Sequence, residues 1–181
     1  MESRQQATVE DLYRAEGKAE IVRGQLVLMP LTGGLHGFAA LEIAASLREH
    51  ARHTGRGHAF GDNVGYIINM PQRRSFSPDA SFCTQPLTRK FIDGAPIFAA
   101  EVRSEEEYGP AAERLMAGKR ADYFAAGTLV VWDVDILKDQ LVRVYRAADP
   151  TAPTIYHRGD MANAEPALLG WSMPVDDLFP D

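Results

Sequence analysis

The chain has 181 residues, 45% apolar and 24% charged, which is enough for one hydrophobic core and ordinary for a globular protein. Nineteen lysines and arginines against 25 acids give a formal net charge of −6, which argues against a protein that coats nucleic acid through charge alone. A single cysteine, Cys83, excludes an intramolecular disulfide framework, and no apolar run approaches the roughly 18 residues of a membrane span. Met1–Gln6 carries no apolar signal core, so the expected location is cytoplasmic, with no membrane partner.

In chain order, Thr8 with Asp11 three residues on marks a helix start, and the short helix is expected to run to about Glu16. Two apolar runs, at 20–22 and 25–29, flank Arg23-Gly24 and predict a hairpin. A long helix is expected from about Leu35 to Thr54, with Ala40, Ile43, Leu47 and Ala51 as its buried stripe and His36 in its first turn. One strand or two follow over 57–69. Phe76–Cys83 reads as another strand, with Pro78 favouring an edge or a strand start.

Ile97–Arg103 is a further strand, Glu105–Pro110 a polar loop, and Ala111 to about Ala126 a helix stopped by Gly127. Leu129–Trp132 has the continuous apolar character of a strand buried on both faces. Asp133 and Asp135 are expected to close that strand and begin a turn, before a returning strand at 140–146 and an edge strand at 154–157. The tail from Leu168 to Phe179 reads as a packed closing segment with a short helical turn. Nothing divides the chain, so one α/β domain over 1–181 is expected, with its core at about 8–179.

Strand alternation places Ser77, Asp79 and Ser81 on one face, and Ala99, Glu101 and Arg103 together on a face of the next strand. Glu101 thus interrupts an apolar face, where a carboxylate needs an ion partner or a metal unless it reaches water at the strand end. Helical spacing groups Ala112, Leu115, Lys119, Tyr123 and Ala126. Lys119 either snorkels to solvent from that stripe or is drawn inward by Asp79 and Glu101.

Basic residues cluster at Arg48, His50, Arg52, His53, Arg56 and His58, and again at Arg73-Arg74 and Arg89-Lys90. They read either as solvated surface or as contacts for phosphate. His50 and His53 have no evident third metal ligand, and Cys83, Trp132 and Trp171 read as core residues.

These residues resemble a known family. The hairpin Glu20-Ile21-Val22-Arg23-Gly24-Gln25-Leu26-Val27, His36 at the head of the long helix, Ser77-Pro78-Asp79, and Glu101-Val102-Arg103-Ser104 occur in its order. Lys119, Tyr123 and Gly127 follow, ahead of Val130-Val131-Trp132-Asp133. The chain resembles the Uma-two endonuclease family of the PD-(D/E)XK restriction-endonuclease-like superfamily. The resemblance implies a restriction-endonuclease-like core, with a mixed β-sheet flanked by helices, an N-terminal hairpin and C-terminal strands.

It further implies a Mg²⁺ or Mn²⁺ site with Asp79 and Glu101 as ligands, Lys119 as the cation that positions water or stabilises phosphate, and Glu20 and His36 in support. Arg103 stands where the superfamily motif places lysine, so either Lys119 or Arg103 could serve as that cation. The implied activity is hydrolysis of DNA phosphodiesters, and a homodimer would suit cutting of two strands. A nuclease fold kept as a non-catalytic binding module is the competing reading, and a metal phosphohydrolase with a small substrate is a third.

Overall fold

A computed structural model describes residues 6–180; the Met1–Gln6 signal reading falls almost wholly outside that range. The capping box at Thr8 and Asp11 is present, with the Asp11 carboxylate accepting from the Thr8 backbone N–H at 2.8 Å. Helix α1, Val9–Tyr13, ends earlier than expected. Strands β1, Ala19–Val22, and β2, Gln25–Leu28, pair antiparallel in the register Val22 to Gln25. Arg23 and Gly24 both have positive φ, at 50° and 73°, as a two-residue turn matched to strand twist requires.

The long helix is α2, Gly34–Thr54. Strands β3, His58–Phe60, and β4, Tyr66–Ile67, resolve the one-or-two question as two. The single strand expected at Phe76–Cys83 divides into β5, Ser75–Phe76, and β6, Ala80–Cys83. Between them Ser77-Pro78-Asp79 leaves the ladder, because Pro78 has no N–H to donate. β5 joins β4 and the short β7, Ile92–Asp93, in a small separate sheet, whereas β6 lies inside the main one.

Beyond them come β8, Phe98–Val102; α3, Pro110–Ala125; β9, Val130–Asp135; β10, Leu141–Arg146; and β11, Asp149–His157. The main sheet has the order β11-β10-β9-β8-β6-β3, with β11 at one edge as expected for its strand. β8 and β9 run parallel, joined by the α3 crossover, and every other pair in that sheet is antiparallel. The α/β expectation of a mixed sheet flanked by helices therefore holds. A second hairpin, β12, Met161–Asn163, with β13, Ser172–Pro174, precedes a 3₁₀ turn at Val175–Leu178; its strands were not foreseen from the sequence.

Alternation along β6, β8 and β9 builds two cores. Ala80, Phe82, Phe98, Ala100, Val102, Trp132 and Val134 meet Ala40, Ile43 and Leu47 of α2. The opposite face, with Ala99 and Val131, packs on Tyr123 of α3 and Phe76. Trp132 and Trp171 lie 5.0 Å apart in the first core, and each indole N–H finds an oxygen, of Asn163 and Ser46 respectively.

Two further expectations give way. Leu115 points to solvent at 77% exposure and Met116 takes the inward position, while Lys119, Tyr123 and Ala126 keep the expected face of α3. Asp133 is buried inside β9 instead of closing it, whereas Asp135, also buried, ends the strand as expected and accepts from the Lys138 N–H at 3.0 Å. Among the described residues no helix is long and apolar enough to cross a membrane.

Candidate active site

The break at Ser77-Pro78-Asp79 turns Asp79 across the end of β8. The Asp79 N–H donates to the Ala100 carbonyl at 3.1 Å, and Asp79 Oδ2 accepts from the Val102 N–H at 2.8 Å. Proline thus frees the segment from strand pairing, and two hydrogen bonds re-anchor it with the carboxylate fixed. His36, in the first turn of α2, places Nε2 3.2 Å from the same oxygen, while its Nδ1 is buried without a hydrogen-bonding partner among the described residues.

Glu101 lies on β8 on the α3 side of the sheet. Its Oε1 accepts from the Tyr123 hydroxyl at 2.6 Å, and Lys119 Nζ stands 2.8 Å from Oε1 and 2.9 Å from Oε2. Lys119 and Tyr123 are four residues apart on α3, so one helix face delivers both groups to Glu101. The lysine is drawn inward, with only 19% of its side chain exposed.

Glu20 of β1 completes this side. Its Oε1 is 3.0 Å from Lys119 Nζ and accepts from the Ser77 N–H at 2.8 Å, while Oε2 accepts from Arg73 at 2.6 Å. Arg73 also donates to Asp122 at 2.8 Å. Residues from six separate segments meet at a cleft of about 430 Å³, lined by Lys18, His36, Asp62, Asp79, Glu101 and Lys119 among others.

Of the sequence-derived candidates, Asp79, Glu101, Lys119, Glu20 and His36 converge here. Arg103 does not. Its side chain leaves on the Glu101 side of the sheet, but the guanidinium is taken by Asp133, at 2.6 and 2.7 Å, and by Glu113. The basic cluster of Arg48 to His58 also lies elsewhere: Arg52 is 16 residues along α2 from His36, about 24 Å at 1.5 Å per residue.

Sequence reasoning missed Lys18, whose Nζ is 2.6 Å from Asp79 and 2.7 Å from Asp62, because a lone lysine after a glycine carries no pattern. Arg73 was visible only as part of a basic pair, and the Tyr123 hydroxyl only as a member of a helical stripe.

Burial pushes the Asp79 carboxyl up, but the His36 hydrogen bond and the Lys18 charge outweigh it and hold Asp79 well below the usual range. For Glu101 burial wins over the Lys119 charge and, with repulsion from Asp79 and Glu20, pushes the carboxyl up to about 7. Burial alone would lower Lys119, yet Glu101 and Glu20 raise it above its ordinary value, so it remains an ammonium at neutral pH. Asp79 and Glu101 thus differ sharply in their readiness to ionise, and Lys119, between Glu101 and Glu20, is a fixed positive charge.

A family described as "Putative restriction endonuclease", Uma2, matches residues 7–176. The chain belongs to the Uma2 family. A search of curated proteins found no match. Among solved structures, a crystal structure described as a "putative nuclease belonging to DUF820" from Anabaena variabilis ATCC 29413 is similar with a TM-score of 0.75 and 17% identity. The match covers 96% of this chain and 97% of that one, so the fold is shared over essentially the full length. Uma2 membership and this fold agree with the nuclease-like arrangement implied by the sequence, and they leave the roles of individual residues to the geometry.

Proposed function

We propose that this Uma2 protein is a divalent-metal-dependent endonuclease that hydrolyses DNA phosphodiester bonds, with Asp79 and Glu101 holding Mg²⁺ or Mn²⁺. The convergence of a buried carboxylate, a partly buried one and an ammonium, from a proline-broken segment, a core strand and a helix, supports this reading most. Among the described residues no group of three or more His, Cys, Asp or Glu side chains stands close enough to enclose a metal alone. That suits Mg²⁺, which keeps several waters and takes one or two carboxylates plus substrate phosphate. A divalent cation bound here would supply charge against the phosphate and acidify water for attack.

The chain's own residues do the rest. Val102 N–H and His36 hold Asp79 ionised and in one orientation. Tyr123 and Lys119 fix both oxygens of Glu101, so that carboxylate cannot rotate away. Lys119, kept as an ammonium, stabilises charge growing on the phosphate and orients water without abstracting a proton. Glu20, clamped by Arg73 and Ser77 N–H, keeps Lys119 over Glu101 as a positioning residue. In a homodimer two such clefts would face the two strands of a duplex.

The raised Glu101 carboxyl gives this reading a pH signature. Its folded pKa, about 7, exceeds the unfolded value of 4.5, so between those values the metal-free protein loses stability as pH rises. A cation must displace that proton. Mn²⁺ affinity is therefore expected to fall ever more steeply below pH 7, approaching about tenfold per pH unit, and by about 50-fold between pH 7 and pH 5. Asp79, already ionised, adds nothing over that interval. Titration calorimetry measures this directly, and a flat profile would remove Glu101 from the ligand set.

A further inference from the structure

We infer that Lys18 is the resident counter-ion of this site, an ammonium that a divalent cation must displace from Asp79. The inference rests on the metal reading above. Oδ2 of Asp79 already accepts from Val102 N–H at 2.8 Å and faces His36 Nε2 at 3.2 Å, which uses both of its lone-pair directions. A cation must therefore approach through Oδ1, and there Lys18 Nζ stands at 2.6 Å. With a Mg–O distance of about 2.1 Å, the two cations would share one oxygen and stand within about 5 Å of each other. At that separation in a cleft shielded from water, they repel strongly.

Lys18 has an alternative partner already in contact. Asp62 Oδ1 lies 2.7 Å from the same Nζ, on a side chain 43% exposed at the rim of the cleft. The backbone at Lys18 is fixed, since its carbonyl accepts from Met29 N–H at 2.8 Å and β1 begins at the next residue. The four-carbon stem is what moves, from a position shared by two acids to one held by Asp62 alone. Lys18 and the metal are then mutually exclusive on Asp79 Oδ1, and each lowers the other's hold on it by the same factor.

Mn²⁺ titration of the full chain tests this. Lys18→Met is expected to bind Mn²⁺ about tenfold more tightly than the wild type, because the competing ammonium is gone. Asp62→Asn, at an exposed position where folding is not at stake, is expected to bind it at least about threefold more weakly, because displaced Lys18 has lost its alternative partner. In the wild type, the NMR signals of the Lys18 ε-methylene should shift on saturation with Mg²⁺, which a lysine with a purely structural role would not do. Unchanged affinity in both variants, or an unmoved Lys18 signal at saturating Mg²⁺, overturns the exchange and leaves the metal site standing. A wild-type protein that binds neither ion overturns the exchange and the metal reading together.

Discussion

Asp79→Asn and Glu101→Gln are each expected to lower Mg²⁺-dependent cleavage of plasmid DNA by about 10³-fold or more, with the fold retained. Both substitutions keep shape and remove charge. Asparagine can still accept from Val102 N–H, and glutamine can still accept from the Tyr123 hydroxyl, so the strand ends and α3 stay where they are. What each loses is the anionic oxygen that would hold the cation.

The two variants should part in stability. Asp79 has a lowered pKa, so its charge stabilises the fold above the usual carboxylate range, and Asp79→Asn should be less stable than the wild type at pH 8. Glu101 has a raised pKa, so its charge is a burden at pH 8, and metal-free Glu101→Gln should be at least as stable as the wild type. An inactive protein with undiminished stability is the signature of a residue kept for chemistry. Thermal unfolding beside the cleavage assay reads both, and Mg²⁺-dependent activity surviving in both variants would contradict the assignment.

Arg103→Leu should act in the opposite way, costing about 3–5 kcal/mol of stability because it strands Asp133 in the core. Arg103 is 3% exposed and meets Asp133 through two parallel hydrogen bonds, while its far edge takes Glu113 of α3. Once the guanidinium is gone, Arg120 at 3.4 Å is the nearest cation left to Asp133, a long contact that compensates little. At about 2–4 °C per kcal/mol for a chain of this size, Tm should fall by roughly 10 °C.

Arg103→Leu combined with Asp133→Leu should recover much of that loss, since the penalty comes from the unpaired charge more than from the missing pair. The double variant should also keep its metal site, because the Glu101, Lys119 and Asp79 contacts do not pass through Arg103. A loss below 1 kcal/mol in Arg103→Leu would show that Arg120 or solvent satisfies Asp133 unaided.

Arg103 also shows what a sequence can and cannot carry. Strand alternation put it on the Glu101 side of β8, and that is where the structure has it. Which acid it would reach depended on β9 lying parallel beside β8, with Asp133 opposite Glu101, a long-range register that no local pattern encodes. Elements with a local code were readable: the capping box at Thr8, the Arg23-Gly24 turn and the α2 stripe. Convergence of Asp79, Glu101 and Lys119 was legible because each broke the pattern of its own element, an acid after proline, an acid in an apolar strand face, a lysine in a helical stripe.

Lys18 and Asp62 break no pattern, and 44 residues separate them, so only the folded chain brings them together over Asp79. Within the inward face of α3 only Leu115 was misplaced, by one position, because alanine, leucine and methionine around 115–117 give no sharp period.

The most direct test of the whole account is a crystal soaked with Mn²⁺ and measured at the manganese absorption edge. A single anomalous peak within bonding distance of Asp79 Oδ1 and a Glu101 carboxylate oxygen, with Lys18 turned to Asp62 and Lys119 still beside Glu101, is the expected result. An empty cleft at saturating Mn²⁺, or a peak bound away from these two carboxylates, would contradict it.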